Sequence, residues 1–512
     1  MEQLIKRWTN FRDGIGHPKD GEHNGFLGPD QTTGVTFLPC FIGTEEGLVV
    51  PPGLTEFSSI GLTDAARHMQ HAFVEYSPNG SVFLYILSNS DASSTAVGKV
   101  HKTLFGTFSS ITTSATTYGR LGHPEKYQGL WYWPEVVGGG LELVELTTLG
   151  NGTISGDTHT PSTGDRGGGQ LFLLGHQLAS ISDSQGVRLL VTGDNPVTGT
   201  WGAYFPAGDD ADIALGAVSL SGLAFVFRDR GIYTFNDRGR AATISEDFTP
   251  WMASADLATS GGTWQVSAFK GGAVVAHPAG LLYYRLGNDP IDISVPSSKA
   301  SVHFLPPNQY LGVLAAGESV WVWGKAYGSA NYTLYCGTSA DGSPTNLVWS
   351  AVGVAAQDIS SSALAVFFNT GNDPSNFSGT GTLLCNTSST ANTLSGLPVD
   401  SNGSASTQSL NPLPTAVKGL MPTLQLPIPR ITKLVVTLDD MPAGSAMQLY
   451  GYINESTTSV NFGGALAANA RHEVFVNYPD VRSLTLGASY TGSATASTQA
   501  KIKLLEVYGE PE

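Results

Sequence analysis

Four short stretches of this sequence carry residue types that could do chemistry. They are the pair His68 and His71, the glycine-rich run Gly164–Gly169, the acidic run Gly208–Asp212, and Ser339–Ser343 with the later Trp349. Each suggests a different chemistry: zinc ligation, phosphate binding, calcium binding and glycoside hydrolysis on a propeller. Each chemistry also needs partner residues at a fixed spacing, and those partners distinguish a site from an ordinary loop.

The histidine pair and the acidic run both lack the partners of a metal site. His68 and His71 would share one face of a helix and could bind zinc, but neither a third ligand nor a Glu base accompanies them. We therefore interpret them as surface or packed histidines. Asp209, Asp210 and Asp212 could hold calcium, but the glycine and distal Glu of a helix-loop-helix calcium site are missing. A solvated acidic loop is the interpretation that we favour.

The other two stretches also lack a complete motif. Gly164–Gly169 has no Gly-Lys-Ser/Thr ending and no helix signal after it, so it predicts a loop. Ser339–Ser343 and Trp349 weakly resemble the Asp-box turn of sialidases, but the glycine and the Trp are out of step and the motif does not recur. Gly-x-Ser-x-Gly, His-Glu-x-x-His and cysteine-based metal motifs do not occur in the sequence. The sequence thus predicts a non-enzyme with no catalytic, cofactor-binding or metal-binding residue and no cofactor.

Composition indicates that β-strands position whatever site the chain holds. Only 13% of the 512 residues are charged and 62 are glycine, so helix formers are scarce and turn residues are abundant.

The net charge of −16 argues against specific binding to nucleic acid through its phosphates. No apolar run reaches the roughly 18 residues of a membrane span, so we expect no membrane insertion. Cys40, Cys336 and Cys385 lie far apart and are predicted to be buried thiols made in a reducing cytoplasm.

Pairs of β-type runs around a turn recur seven times in the middle of the chain, with turns near residues 79, 139, 184, 230, 279, 328 and 373. In the first pair, Phe73–Tyr76 and Ser81–Leu87 flank Asn79 and Gly80, two residues that tolerate positive φ. Neighbouring turns are about 45 to 60 residues apart, close to the roughly 40–50 residues of a four-stranded propeller blade. The sequence therefore predicts an all-β protein with a β-propeller of about seven blades, in preference to a string of β-sandwich domains.

The rest of the chain divides around this repeat. Residues 1–55 have little periodicity and predict an N-terminal arm, ahead of the propeller at residues 56–405. Residues 406–429, rich in Ser, Thr, Asn and Pro, predict a linker. Residues 430–512 alternate apolar and polar side chains and predict a small, jelly-roll-like C-terminal β-sandwich, which we expect to fold alone from about Lys418. The only helix predicted is a turn or two within Leu62–Gln70.

The opening Trp8–Ile15 (Trp-Thr-Asn-Phe-Arg-Asp-Gly-Ile) resembles the start of tailed-bacteriophage virion proteins that carry a propeller. The order of Gly/Ser/Thr-rich repeats, Pro-punctuated linker and closing sandwich is similar as well. The resemblance implies a non-catalytic structural component of a phage tail, such as a nozzle, tail-tip or minor tail protein, assembled in the host cytoplasm and located in the virion. Its implied partners are other tail proteins and copies of the same chain.

Two other functions stay open from the residues alone. The first is carbohydrate or receptor binding, for example to a host surface glycan, if Tyr450, Tyr452, Phe475 and Tyr478 stack on sugar rings. We favour the interpretation that these four rings belong to the core of the sandwich. The second alternative is a propeller glycosidase, whose carboxylate pair would come together only in the fold and so leaves no local motif.

Overall fold

The computed structural model describes residues 2–9, 11, 39–44, 46–62, 68–90, 97–105, 111–137, 140–150, 154, 157–162, 169–182, 186–207, 214–228, 231–235, 241–245, 265–277, 280–295, 304, 306–326, 329, 331–339, 341–354, 363–368, 381–386, 393–405, 416–426, 430–492 and 498–510. These residues form strands and turns and include no α-helix, which confirms an all-β protein. This part of the chain accordingly has no helix that could span a membrane.

The strands fall into three segments of the chain. The first segment holds β1 (Gln3–Trp8), β2 (Ile42–Thr44), β3 (Gly47–Val49) and β4 (Thr55–Gly61). The second holds β5 (His68–Tyr76), β6 (Val82–Asn89), β7 (Gly98–Leu104), β8 (Thr112–Thr113), β9 (Arg120–Leu121), β10 (Glu125–Tyr127), β11 (Leu130–Val137), β12 (Gly140–Thr148), β13 (Thr158–Pro161), β14 (Gln170–Leu174), β15 (Gln177–Ser182), β16 (Gly186–Leu189), β17 (Ala214–Leu220), β18 (Leu223–Arg228), β19 (Ile232–Phe235), β20 (Ala241–Ser245), β21 (Val266–Phe269), β22 (Gly272–His277), β23 (Gly280–Tyr284), β24 (Ile291–Asp292), β25 (Pro307–Ala316), β26 (Ser319–Ala326), β27 (Thr333–Ser339), β28 (Leu347–Val354), β29 (Leu364–Phe368), β30 (Gly381–Cys385) and β31 (Thr393–Val399). The third holds β32 (Ala416–Leu420), β33 (Leu424–Gln425), β34 (Arg430–Asp439), β35 (Ala446–Ile453), β36 (Val460–Leu466), β37 (Arg471–Tyr478), β38 (Ser483–Thr491) and β39 (Lys501–Glu510).

Within the described residues, the second segment forms seven sheets, which we number 1 to 7 in chain order. Their strand orders are β5-β6-β7-β8, β10-β11-β12-β13 with β9 beside β11, β14-β15-β16, β17-β18-β19-β20, β21-β22-β23-β24, β25-β26-β27-β28 and β29-β30-β31-β4. Each of the seven predicted hairpins is confirmed as a pair of adjacent antiparallel strands. The local turn signals in the sequence were therefore sufficient to locate these pairs.

The seven sheets lie side by side in a ring, mostly through their first strands. β6 of sheet 1 contacts β9 of sheet 2, β10 contacts β14, β14 contacts β17, β17 contacts β21, β21 contacts β25, β25 contacts β29, and β29 contacts β5 of sheet 1. Polar groups join neighbouring sheets. The Gly312 N–H donates to Gln265 Oε1 at 2.6 Å between sheets 6 and 5, and the Met69 N–H donates to Asn386 Oδ1 at 2.9 Å between sheets 1 and 7. These contacts give an all-β fold of the propeller type.

Two further sheets, numbered 8 and 9, pack beside the ring. Sheet 8 has the order β2-β3-β39-β34-β37 with β1 also on β39, and sheet 9 has the order β32-β38-β35-β36 with β33 on β38. Their buried side chains share one hydrophobic cluster with sheets 5 and 6. The Cys40 N–H donates to the Ala351 carbonyl of β28 at 3.0 Å, and the Lys418 N–H of β32 donates to the Pro39 carbonyl at 3.1 Å. Residues 39 and 40 therefore tie sheet 6 to sheet 9.

The predicted arm and the predicted linker both supply strands to these two sheets. The predicted arm, residues 1–55, supplies β1, β2 and β3 to sheet 8, and the predicted linker, residues 406–429, supplies β32 and β33 to sheet 9. Trp8 lies opposite Leu505, and Leu48 lies opposite Ile502, so β1 and β3 cover consecutive parts of one edge of β39. This pairing argues against independent folding from Lys418, because β39 would lose both neighbours on that edge.

The helix predicted within Leu62–Gln70 is wrong over its described part, because His68–Gln70 begin β5. His68 lies opposite Asn89 of β6, and Met69 is fully buried. Residues 63–67 lie outside the described residues. Pairing in the sheet therefore overrides the weak local helix signal.

The three cysteines are buried and form no disulfide, as the sequence predicts. Burial raises the pKa of Cys336 and that of Cys385 to about 12. The two thiols are therefore protonated at neutral pH, and they pack as small apolar side chains.

Strand β26 places two tryptophans in the ring. The two-residue period of a strand predicts that Trp321 and Trp323 share one face and that Val320 and Val322 share the other. The structure confirms this, because the fully buried tryptophans and valines belong to different hydrophobic clusters. Trp321 Nε1–H donates to the Gly403 carbonyl at 2.7 Å, whereas the Trp323 indole N–H has no hydrogen-bond partner within the described part of the chain.

We predict that Trp321→Phe destabilises the protein more than Trp323→Phe, by about 1 kcal/mol in the free energy of unfolding. Both changes remove a similar apolar area from fully buried positions, but only the first leaves the Gly403 carbonyl without its donor. Urea denaturation followed by circular dichroism measures both losses. Phe475→Ala, at a side chain that is 75% exposed, serves as the control and should change little. Equal losses for the two tryptophan variants would refute the prediction.

We also predict that deletion of residues 1–9 lowers the melting temperature, because it uncovers the edge of β39 and removes the buried Trp8 from the core. Differential scanning calorimetry measures the change. Deletion of residues 1 and 2 alone is the control, since it leaves β1 in place. An unchanged melting curve for the longer deletion would show that β1 contributes nothing to stability.

Candidate functional site

A cavity of about 310 Å³ lies where the first strands of the seven sheets meet. Its polar lining comes from sheets 1, 2, 4 and 5, and consists of Gln70, His71, His123, Glu125, Ser219 and Ser267. The rest of the described lining is Ala, Val, Leu and Phe from sheets 3 to 7. A concave, largely apolar space with a few convergent polar groups is the usual form of a small-molecule site.

Glu125 is the acid of this cavity. It begins the three-residue strand β10 and lies opposite Tyr132 of β11. Burial raises the pKa of Glu125 to about 7, although the Lys126 N–H donates to its Oε1 at 3.0 Å and opposes the shift. The Lys126 ammonium group pairs with Glu75 instead. Glu125 is therefore partly protonated at neutral pH and can act as a proton donor.

Two imidazoles meet in the lining at the junction of sheets 1 and 2. The rings of His71 and His123 lie edge to face, with their centroids 4.5 Å apart. His71 follows a bulge in β5, and the His123 carbonyl accepts a hydrogen bond from the Leu171 N–H of sheet 3 at 3.1 Å. Burial lowers the pKa of His71 to about 4, and burial together with the neighbouring His71 ring lowers the pKa of His123. Both rings are neutral at pH 7.

The remaining lining carries no charge. Ser267 Oγ accepts a hydrogen bond from the Ala315 N–H at 2.9 Å, which places its hydroxyl between sheets 5 and 6. Among the described lining residues there is no Lys or Arg, and Glu125 is the only carboxylic acid. The described lining thus combines one carboxylic acid with neutral hydrogen-bonding groups in an apolar wall. No cation of that lining is present to stabilise the ionised form of the acid.

The structure separates the two histidines that the sequence suggests as a zinc pair. His68 is buried within β5 and does not line the cavity, whereas His71 does. Because both lie on a strand, the shared helical face that would bring them together is not formed. Across the described ranges, no group of three or more His, Cys, Asp or Glu is placed to hold a metal ion.

The other candidate stretches do not contribute described residues to the cavity. Residues 164–168 and 208–213 lie outside the described residues, so the predictions for them stay predictions. Asp341 lies in the turn between β27 and β28, where its Oδ1 accepts the Ser343 N–H at 2.9 Å and its Oδ2 accepts the Asn346 side-chain N–H at 2.7 Å. The Asp-box-like turn is held together by its own carboxylate.

The aromatic residues considered for sugar binding divide by burial. Tyr450 and Tyr452 are 4% and 1% exposed and belong to the core of sheets 8 and 9, as we expected. Tyr478 packs edge to face against Phe462, with ring centroids 5.5 Å apart. Phe475 is 75% exposed, so its assignment to the core is wrong.

Sequence reasoning missed Glu125 and His123. Glu125 lies in β10, whose three residues are too few to show a period of two. His123 lies outside the strands and forms only an isolated bridge with Gln170. Neither residue stands in a local motif, so the sequence carried no signal that would have located them.

Neither a protein-family model nor a curated protein matches the chain. Among solved structures, the extracellular domain of a hybrid two component system from B. thetaiotaomicron is 10% identical, with a TM-score of 0.41, over 91% of this chain and 60% of that one. An exo-beta-1,3-galactanase from Phanerochaete chrysosporium is 10% identical, with a TM-score of 0.28, over 89% of this chain and 100% of that one. A glycoside hydrolase family 43 arabinoxylan arabinofuranohydrolase from Bacillus subtilis is 10% identical, with a TM-score of 0.25, over 90% and 99% of the two chains. The chain spans about 60% of the length of the first of these proteins.

These findings contradict the function predicted from sequence. The structural neighbours are bacterial extracellular domains and glycoside hydrolases and not phage proteins, so the prediction of a non-catalytic phage tail component is wrong, and so is the prediction of a non-enzyme. The latter rested on missing motifs, but the groups that line a propeller cavity come from separate repeats and leave no motif. The predicted partners and the predicted virion location are not tested by these structures.

We predict that Glu125→Gln raises the melting temperature at pH 8 more than it does at pH 4. The folded-state pKa of Glu125, about 7, lies above the ordinary value of 4.5, so folding favours the neutral carboxyl, and this contribution is lost as the pH rises from 4.5 through 7. Glutamine stays neutral at both pH values. Calorimetry at the two pH values measures the difference, with Glu455→Gln in an exposed turn as the control. The same shift at both pH values would contradict a raised pKa.

Proposed function

We propose that this chain is a glycoside hydrolase whose active site is the central cavity and whose proton donor is Glu125. The single observation that carries the proposal is the position of Glu125: a carboxyl in the wall of the cavity, with its pKa raised by burial to about 7. Glycosidic oxygens are weakly basic, so their departure needs a general acid that is still protonated near neutral pH. The similar solved structures suggest the class of enzyme, but the proposal rests on Glu125.

In the proposed reaction, the bond between the anomeric carbon and the glycosidic oxygen breaks, and the Glu125 carboxyl gives its proton to that oxygen. Water adds to the anomeric carbon and gives up a proton, which goes to the second carboxylate if the reaction inverts the anomeric centre, or back to Glu125 if the reaction retains it. The neutral imidazoles of His71 and His123 would donate and accept hydrogen bonds to sugar hydroxyls without adding charge. The apolar wall disfavours the charged carboxylate, so the acid stays protonated up to a higher pH.

The reaction also needs a second carboxylate, as base or as nucleophile. The acidic run singled out in the sequence, Asp209, Asp210 and Asp212, lies outside the described residues. Among the described lining residues, Glu125 is the only carboxylic acid. The second carboxylate is therefore to be identified by mutation of acidic residues outside the described ranges, beginning with this run.

The decisive experiment compares two leaving groups. Wild type and Glu125→Gln are assayed on methyl or oligosaccharide glycosides, which need protonation of the leaving oxygen, and on 2,4-dinitrophenyl glycosides, which do not. We predict a loss of about 10²–10⁴ in kcat for the first class only. For wild type on the first class, kcat/KM should fall as the pH rises above about 7, because Glu125 loses its proton.

The controls assign the remaining roles. Glu455→Gln removes an exposed carboxylate far from the cavity and should leave both activities unchanged. Among Asp209→Asn, Asp210→Asn and Asp212→Asn, the variant that loses activity on both classes of glycoside identifies the second carboxylate. Equal activity of wild type and Glu125→Gln on the first class, or no hydrolysis of any glycoside, would refute the proposal.

We further propose that sheets 1 to 7 are the seven blades of one closed propeller, and that sheets 8 and 9 form a β-sandwich. The contact of β29 with β5 and the bond from Met69 to Asn386 support closure of the ring. The strand orders of sheets 8 and 9 and their shared core support the sandwich. In this arrangement every blade sends its first strand to the cavity, which is how residues as distant in sequence as Gln70 and Leu364 reach one site.

A further inference from the structure

We infer that the cavity accepts an uncharged sugar unit and rejects sugars that carry a carboxylate, sulfate or phosphate group. The inference deepens the proposed function and rests on it for the identity of the ligand as a sugar. The selection by charge follows from the residues that line the cavity. It can therefore be tested by measuring binding, without hydrolysis.

The charge of the lining is the main argument. An anion taken out of water into an apolar wall costs several kcal/mol unless a cation or several donors replace its hydration. The described lining offers no Lys or Arg, and the nearest ammonium in sequence, that of Lys126, is paired with Glu75. An anionic ligand would also lie in the same cavity as Glu125, and the ionised fraction of that carboxyl would repel it.

The two imidazoles do not supply the missing cation. His71 and His123 pack ring against ring at 4.5 Å, so protonation of one would place a charge against its neighbour in a buried position. Burial holds the pKa of His71 at about 4, so the ring stays neutral over the working range of pH. The other polar lining residues from sheets 1 and 2, Gln70 and Glu125, do not make an anion site either, because an amide is neutral and a carboxyl is itself acidic.

Size and polarity favour one sugar unit. The volume of about 310 Å³ is at the lower end of small-molecule pockets, which run from about 300 to 1,000 Å³. Sheets 3 to 7 offer mainly C–H surface, including that of Phe172 and Val313, to the apolar face of a ring. The hydroxyls of Ser219 and Ser267 and the amide of Gln70 can meet ring hydroxyls with neutral hydrogen bonds.

The test measures binding to the full-length Glu125→Gln protein, which removes turnover and leaves the described lining without a charge. Three matched pairs of probes differ only at C6: galactose and galacturonate, glucose and glucuronate, mannose and mannuronate. Titration calorimetry at pH 7, supported by saturation-transfer NMR, gives the dissociation constants. We expect at least one neutral member to bind and its uronate to bind at least about tenfold more weakly.

A charge introduced into the lining sharpens the test. Ser219→Lys in the same protein places an ammonium group in the cavity wall at an exposed position, and it should shift the ratio toward the uronate by about tenfold or more. Thr457→Lys adds the same charge to an exposed turn of the sandwich and should leave the ratio unchanged. A spectrum like that of the parent protein shows that each variant is folded.

The outcomes separate this inference from the proposed hydrolase. A uronate that binds as tightly as its neutral partner, or no binding by any sugar, overturns the inference. If neutral sugars bind selectively but wild type cleaves no glycoside, charge selection stands and the hydrolase fails. If wild type cleaves uronides in preference to neutral glycosides with dependence on Glu125, the hydrolase stands and charge selection fails.

Discussion

The pairing of β4 with β31 is the constraint on which the central cavity depends. Thr55 of β4 lies opposite Gly396, and Gly61 lies opposite Thr393, so a strand from the start of the chain completes a sheet formed near residue 390. Without β4, sheet 7 would present β31 as an open edge, while β29 at its other edge contacts β5. His71 and Leu364 lie on either side of that contact and both line the cavity. A single long-range pairing thus stabilises the wall in which the candidate chemistry sits.

The junction of sheets 1 and 2 shows how the same ring handles charge in two ways. Lys102 and Asp157 are almost fully buried and pair at 2.8 Å, and the Tyr85 hydroxyl donates to the same carboxylate at 2.8 Å. That ion pair is fully partnered, so both groups can stay charged away from water. Glu125 is half-buried and forms no ion pair with a described residue, and its pKa rises instead. The ring therefore holds a paired charge between sheets 1 and 2 and an acid without a paired cation among the described residues in the cavity wall.

The sequence predicted local pairs and failed on distant ones. The Asn79-Gly80 turn and its six counterparts identified hairpins because a turn and its flanking strands lie within about twenty residues. β1 on β39 and β4 on β31 join residues hundreds of positions apart, and no local periodicity encodes such a partner. The spacing of the turns is uneven because the predicted hairpins are not the same pair of strands in every sheet. The turns near residues 79 and 373 join the first and second strands of their sheets, whereas the other five join the second and third.

Sheet 8, in turn, holds the chain immediately before β4, the strand that completes sheet 7. β3 pairs with β39 and ends at Val49, only a few residues before β4 begins at Thr55. Between them, the Val50 N–H donates to the Ala500 carbonyl at 3.0 Å, and the Gln499 side chain donates to the Val50 carbonyl at 3.0 Å. Val50 is buried, and both its backbone N–H and its carbonyl are hydrogen-bonded, so the chain enters β4 from a fixed point. A short stretch of backbone therefore links sheet 8 to sheet 7, which lines the cavity, although no described residue of sheets 8 or 9 lines it.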